Sequence, residues 1–398
     1  MEAYKIKMEP GDFQVFEISE GISENPSGPY TVLKIRLNNW ETNHFVSYLA
    51  RYLGISRKRI TYAGTKDKRA LTEQYFCINA ERIPERINIK DCEVVERFKT
   101  DRLLNLGDLT GNRFSIRVET DIEVEKIRES FMSIINSGGF WNYFGIQRFG
   151  SIRYNTHIVG EKLVKEGFES AVKEYLADPS IDTDDYRMNL YRDWNFSRGV
   201  KEFPEHLQFE RAMMYELLAG KSYGEALDAI PRSLRIMFVH AYQSILFNRI
   251  LDERKRILGN PLSVEIGDFV SPVDTYWNMD ENRMIEVDSF NIERIRKMSE
   301  DGKVVVLAPL IGTNTSHQKG IPGEILNSIM EREGIEFKSF NIQGKPDLSS
   351  TGNYLGIRFI PVDFQLSDEK VVKFSLGRGI YATVVLDQIF EKLKSGLN

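Results

Sequence analysis

The 398-residue chain has two cysteines, Cys77 and Cys92, and neither has histidines or cysteines around it at metal-ligand spacing. That pattern excludes a disulfide framework and a structural zinc site, and both thiols read as ordinary buried residues. Histidine is scarce as well. His44, His157, His206, His240 and His317 lie far apart with no ligand spacing, and His240, on the apolar face of a predicted helix, reads as a packed core residue. No apolar run approaches the roughly eighteen residues that span a bilayer, and the start MEAYKIKMEPGDFQ has no apolar signal core, so the expected compartment is the cytoplasm. GxxxxGK[ST], a strand-borne GxGxxG and GxSxG are all missing. Lys66 and Asp67 are adjacent, whereas the base-reading motif of GTPases separates its Lys and Asp by one residue. Nucleotide hydrolysis, dinucleotide binding and serine-hydrolase chemistry therefore have no support.

What is present is a globular composition, 41% hydrophobic and 28% charged, at a length that suits two domains. The net charge of −5 does not announce a nucleic-acid binder, but its distribution is uneven. Residues 151–350 carry −7, and the stretches before and after carry +1 each. Only a local basic cluster could hold an anion, and one exists. Between 51 and 69 stand Arg51, Arg57, Lys58, Arg59, Lys66, Lys68 and Arg69 with a single acid, Asp67, in the run YAGTKDKRALTEQ (62–74). Nearby cations keep a carboxylate ionised, and the Gly64-Thr65 turn lets backbone approach a ligand closely. An anionic carboxylate in a phosphate-attracting setting suits chemistry on a polyanion. Taken alone, an aspartate after Gly-Thr is ordinarily a turn or cap carboxylate.

Periodicity predicts strands over Tyr4–Met8, Phe13–Ile18, Tyr30–Leu37 and Arg113–Val118. Helical spacing appears at Phe45, Leu49 and Leu53, and again from Val124 to Ile135 with Gly138-Gly139 as the stop. The longest predicted helix runs from Ser233 to Leu258, with Leu234, Met237, Phe238, Ala241, Tyr242, Ile245 and Leu246 on one face and Gly259 ending it. VVVLAPLIG, within 302–313, reads as a buried strand; at the C-terminus a strand, a GRG turn and a helix follow one another. The stretch 176–206 has weak periodicity and reads as a loop-rich surface segment. The pattern predicts an α+β body built from both chain ends, with the acidic middle third inserted into it.

A second segment, GGFWNYFGIQRFG (138–150), packs aromatics, Asn142 and a Gln-Arg pair between glycines. Aromatic rings beside amide side chains can stack a nucleobase and read its edge; packing against the core is the equal alternative. With YAGTKDKRALTEQ, this segment resembles the TruD family of tRNA pseudouridine synthases, whose signatures are GxKDxxAxTxQ and NYFGxQRFG. Three more stretches agree in order: GDFQVFE (11–17) with DFxVxE, FVHAYQSILFNRIL with a helix carrying AxQSxxFN, and FSLGRGIYATVVL with FxLPxGxYATxxL. Two departures stand out. Leu376-Gly377 replaces Leu-Pro, and Asp387-Gln388 replaces Arg-Glu.

The resemblance implies a pseudouridine-synthase catalytic domain over 1–152 and 351–398, with a mixed, mainly antiparallel sheet, and an inserted α/β TRUD domain over 153–350. It implies tRNA as the partner, uridine-13 in the D stem as the modified base, and no metal, nucleotide cofactor or membrane. The reaction breaks the N1–C1′ bond, turns the uracil and rejoins it through C5. Asp67 would either attack C1′ or take a proton from C2′. A base inside a stem has to be extruded to reach it, at a cost of a few kcal/mol. Lys66 and Arg69 would meet phosphate, Phe144 or Phe13 would stack on the base, Asn142 would read its edge, and Phe13 and Tyr381 would close the pocket. The rivals are a non-catalytic RNA-binding protein on the same scaffold and a hydrolase of a phosphorylated small molecule. The second would want a partner carboxylate, and the next acid is Glu73.

Overall fold

Alternating burial along Phe13–Ile18 and over 33–38 shows why these runs form strands with one face covered. The computed structural model describes residues 4–6, 8–66, 68–150 and 152–395. It divides into two units: Met1–Phe140, Val273–Asp280 and Phe359–Asn398 form the first, Trp141–Pro272 and Glu281–Arg358 the second. No helix among the described residues is long and apolar enough to cross a membrane.

In chain order the first unit has β1 (Phe13–Ile18), β2 (Tyr30–Asn38), α1 (Thr42–Leu53), β3 (Ile60–Tyr62), β4 (Leu71–Ile78), β5 (Cys92–Thr100), β6 (Gly111–Arg117) and α2 (Val124–Asn136). The chain end adds strands Val362–Leu366 and Val371–Gly377 and helix Ala382–Ser395. Among the described residues the strands make one eight-stranded sheet. Its order is Val362–Leu366, Val371–Gly377, β6, β1, β4, β2, β5, with β3 also on β4. All neighbours are antiparallel except β1 and β4, which run parallel. This is the expected α+β fold with a mixed, mainly antiparallel sheet.

Directly paired residues share a face of the sheet. Val15 pairs with Thr72 and Phe114, Thr72 with Leu37, and Phe114 with Phe374, so all of these line one face. That face carries two separate apolar clusters. Leu33, Ile35, Leu37 and Phe76 pack with Phe45, Val46 and Leu49 of α1. Phe13, Val15, Phe114 and Phe374 pack with Ile127 and Phe131 of α2 and with Val385 and Ile389 of the last helix. The seam between the clusters runs along β1 and β4. Local signals fix the helices that flank it: the Glu41 carboxylate accepts from the backbone N–H groups of Asn43 and His44 at the start of α1, and Gly54 ends it in the left-handed region.

The second unit is dominated by the helix Arg232–Leu258. Helix Thr156–Lys165 lies so close to it that a Cβ on Gly160 would stand 1.9 Å from the Phe238 carbonyl oxygen. The buried strand Val304–Leu310 sits between Asn353–Gly356 and Phe269–Pro272. Arg254, near the end of the long helix, bonds both oxygens of buried Asp268 at 2.7 and 2.8 Å.

Two sequence expectations fail. The stretch 176–206 contains helices Asp185–Asp193 and Phe196–Glu202 rather than mainly loop. Its inner face includes Arg187, 2% exposed, donating to the Leu176 carbonyl and the Glu210 carboxylate, so a polar residue sits where periodicity seeks an apolar one. Tyr4–Met8 is not a strand. Lys5 makes one isolated bridge with Glu119, and Lys7 lies outside the described residues.

Candidate active site

Strands β3 and β1 share one edge of β4: β3 pairs along Phe76–Ile78, β1 along Leu71–Glu73. The chain that leaves β3 at Tyr62 and returns at Leu71 is the Gly64–Ala70 turn. A buried hydrogen-bond chain anchors it. The Lys66 backbone N–H donates to Thr42 Oγ1 at 2.7 Å, and the Thr42 N–H donates back to the Lys66 carbonyl at 3.3 Å. The Thr42 hydroxyl donates to Gln74 Oε1 at 3.0 Å, and Gln74 Nε2 donates to Thr72 Oγ1 at 3.0 Å. Thr42, Thr72 and Gln74 are all buried. Beyond the turn, the Ala70 carbonyl accepts from Asn39 N–H at 3.0 Å. A Cβ at Gly64 would come within 3.1 Å of Lys66 Nζ and 3.5 Å of Leu109. Gly64, Lys66, Ala70, Thr72 and Gln74, the other fixed letters of GxKDxxAxTxQ, thus each shape the chain before or after Asp67. Asp67 itself lies outside the described residues.

Lys66 does not behave as expected. Its ammonium is turned inward and meets Glu17 Oε2 at 3.2 Å, with side-chain exposures of 7% and 0%. Burial pushes the Glu17 carboxyl up from its ordinary range, and Lys66 opposes this. A cation so enclosed is a poor phosphate ligand, so the reading of Lys66 as an RNA contact does not fit its position. By contrast, Arg51, Arg57, Lys58, Arg59, Lys68 and Arg69 are exposed. On the resemblance's reading of the basic run as an RNA track, Arg69→Ala should weaken RNA binding and lower the log–log salt slope by about 0.7–0.9, the share of one phosphate contact. Lys66→Ala should leave the slope unchanged. Titrations across a salt series check both.

Phe13 opens β1, is 7% exposed, and meets Phe114 edge-on at 6.2 Å. It shares a cluster with Ala70, Leu376 and Ala382, so the DFxVxE strand, the start of β4 and the C-terminal signature converge in the first unit. Tyr381, half-buried, follows the GRG turn there. Asn142 and Phe144 belong by contacts to the second unit, because the change of unit falls at Phe140–Trp141. Asn142 donates from its backbone N–H to the Ile357 carbonyl and from Nδ2 to the Gly356 carbonyl, both at 2.8 Å. Phe144 is half-buried, edge-on to Phe247 at 5.5 Å, with the Arg148 guanidinium 5.6 Å from its ring.

Several residues with clear tasks escaped the sequence reading. Asn248 clamps Phe144 from both sides, its Oδ1 accepting from the Phe144 N–H at 2.9 Å and its Nδ2 donating to the carbonyl at 3.0 Å. Arg148 Nε donates to Ser244 Oγ at 3.0 Å. The run QSILFN on the long helix therefore organises the NYFGIQR loop; polar residues inside an otherwise apolar helix face were the available signal. The departures from the family pattern also have causes. A Cβ at Gly377 would stand 2.4 Å from the Tyr276 carbonyl oxygen, which excludes proline there, and Asn278 holds the neighbourhood by accepting from the Arg378 N–H and donating to the Thr110 carbonyl. Asp387 accepts from the Tyr4 hydroxyl at 2.7 Å, tying the two chain ends together.

Lys66 and Ala70, on either side of Asp67, are thus held beside a mixed, mainly antiparallel sheet whose face carries two apolar clusters. The family model described as tRNA pseudouridine synthase D (TruD) matches residues 3–389, and the chain belongs to this family. It is an enzyme of the pseudouridine synthase class, an isomerase. A Thermoplasma volcanium protein named "Probable tRNA pseudouridine synthase D" is 43% identical over 390 residues, covering 98% of this chain and 94% of its own. A Picrophilus torridus protein of the same name is 41% identical over 388 residues, at 97% and 93% coverage. The crystal structure described as TruD from Methanosarcina mazei superposes with a TM-score of 0.80 at 33% identity, covering 98% of this chain and 94% of that one.

Proposed function

We propose that this enzyme converts uridine-13 in the D stem of tRNA to pseudouridine, extruding the base and using Asp67 as its catalytic carboxylate. The observation that carries this reading is the fixation of the chain around Asp67: the Thr42–Lys66–Gln74–Thr72 hydrogen bonds before and the Asn39–Ala70 bond after it. Catalysis by a single side chain depends on such placement, because reacting atoms need near-attack geometry. The exposed basic residues of α1, the α1–β3 connection and the turn supply a track for phosphates. The isomerisation is redox-neutral: every heavy atom stays in the nucleotide, and the proton lost from C5 is balanced by one gained at N1, so it calls for no metal or nucleotide cofactor. The resemblance of the NYFGIQRFG segment assigns base stacking to Phe144 and edge reading to Asn142, and that of the DFxVxE and YATxxL segments assigns Phe13 and Tyr381 to binding the uracil.

The test is to treat unmodified bulk tRNA, folded beforehand, with the purified protein and map pseudouridine at nucleotide resolution. Pseudouridine should form at position 13, at the same rate with EDTA present. Modification elsewhere, or a divalent ion required after the tRNA is folded, would reject the corresponding part.

A further inference from the structure

The residue before Asp67 is gripped at two points. Its backbone is held by Thr42 in both directions, at 2.7 and 3.3 Å, and its ammonium by Glu17 on β1 at 3.2 Å. Glu17 stands on a strand whose register is pinned on both sides, by β4 through Val15 and Phe16 and by β6 through Phe16, Glu17 and Ile18. Its second oxygen, Oε1, is buried and has no hydrogen-bond partner among the described residues. Such an arrangement is a poor stabiliser, since removing two charges from water costs about as much as their attraction returns. Its distinctive effect is conformational: Lys66, the residue before Asp67, is fixed both at its backbone and at its ammonium.

We infer that Glu17 is a positioning residue, aiming the Asp67 turn through its buried ion pair with Lys66. This rests on the assignment of catalysis to Asp67. The pair acts as a unit, so losing either charge has the same consequence as losing both, and the loss appears in turnover rather than in tRNA affinity. A misplacement of about 1 Å at a reacting group costs about 10²-fold in rate, which sets the expected size.

The experiment compares Glu17→Gln, Lys66→Met and the double variant, which carries no unpaired buried charge and so guards against simple misfolding. Each is assayed for single-turnover rate on saturating tRNA, for tRNA affinity, and for amide hydrogen exchange over residues 63–70. All three should lose rate to a similar extent, keep their affinity and exchange faster in the turn; Glu17→Asp, with the charge on a shorter arm, should recover part of the rate. A folded Glu17→Gln or double variant with wild-type rate overturns the inference, as does a loss confined to affinity or a turn that exchanges as before. Failure of the underlying assignment appears separately: Asp67→Asn would turn over normally with Glu17 and Lys66 untouched.

Discussion

Asp67→Asn should abolish pseudouridine formation while leaving tRNA affinity nearly intact. The amide keeps the shape of the side chain and removes its charge, so the turn and its anchors have no reason to move. If the carboxylate takes the C2′ proton, loss of a positioned base costs about 10²–10⁴-fold in rate. If it attacks C1′, no covalent intermediate can form and the loss is larger still. Single-turnover assays with enzyme in excess separate this from any binding effect. Residual turnover within about tenfold of wild type, below the range of a lost base, would remove Asp67 from the chemistry. Fluorescence or filter-binding titration supplies the second half of the test, because a parallel fall in affinity would mean that the substitution disturbs the turn.

Phe144→Ala carries the next largest expected effect, in activity rather than in folding. The ring is half-buried, with one edge against Phe247 and the Arg148 guanidinium nearby, and Asn248 clamps its backbone independently of the side chain. A stacked base is worth about 1–3 kcal/mol, so kcat/KM should fall by roughly fivefold to 150-fold, at 1.4 kcal/mol per factor of ten. Stability should fall by less than the about 3–5 kcal/mol typical of truncating a core phenylalanine. Chemical denaturation beside the kinetics decides between the roles. A full core-sized loss of stability with unchanged kcat/KM would make the ring packing alone.

Elements of both units could be read from the sequence where a strand alternates, as along Phe13–Ile18, or a helix carries clear end signals, as α1 does with Glu41 and Gly54. Phe13–Ile18, the helix ending before Gly138-Gly139 and the long central helix all lie close to where periodicity puts them. The helices over 185–202 were hidden because Arg187 pairs with Glu210 inside rather than at the surface. At the site, the GTKD segment stood out by charge and turn chemistry, yet charge also misled: Lys66 in a basic run reads as solvent-facing until Glu17 is placed beside it. Thr42 gave no signal of its own, and Glu17 stood out only as the last fixed letter of the DFxVxE match, with no hint of its partner. One looks like the first residue of a helix and the other like an alternate position in a strand; the start of α1 brings Thr42 to the turn, and the parallel pairing of β1 with β4 brings Glu17 there. Pairing over such separations is a property of topology, which local pattern does not record.

The order of the sheet also has a consequence for synthesis. Strands β1 to β6 emerge within the first 117 residues, but the outer partner of β6 is Val371–Gly377, joined through Phe114 opposite Phe374. Until the final stretch leaves the ribosome, β6 is an edge with unsatisfied backbone groups, and the apolar faces of α2 and β6 lack the last helix that covers them. The nascent chain therefore carries a sticky half-sheet during translation of the whole middle segment, and such exposed edges promote misassembly. A protein built this way completes its first sheet only after Val371–Gly377 and the helix Ala382–Ser395 have been made.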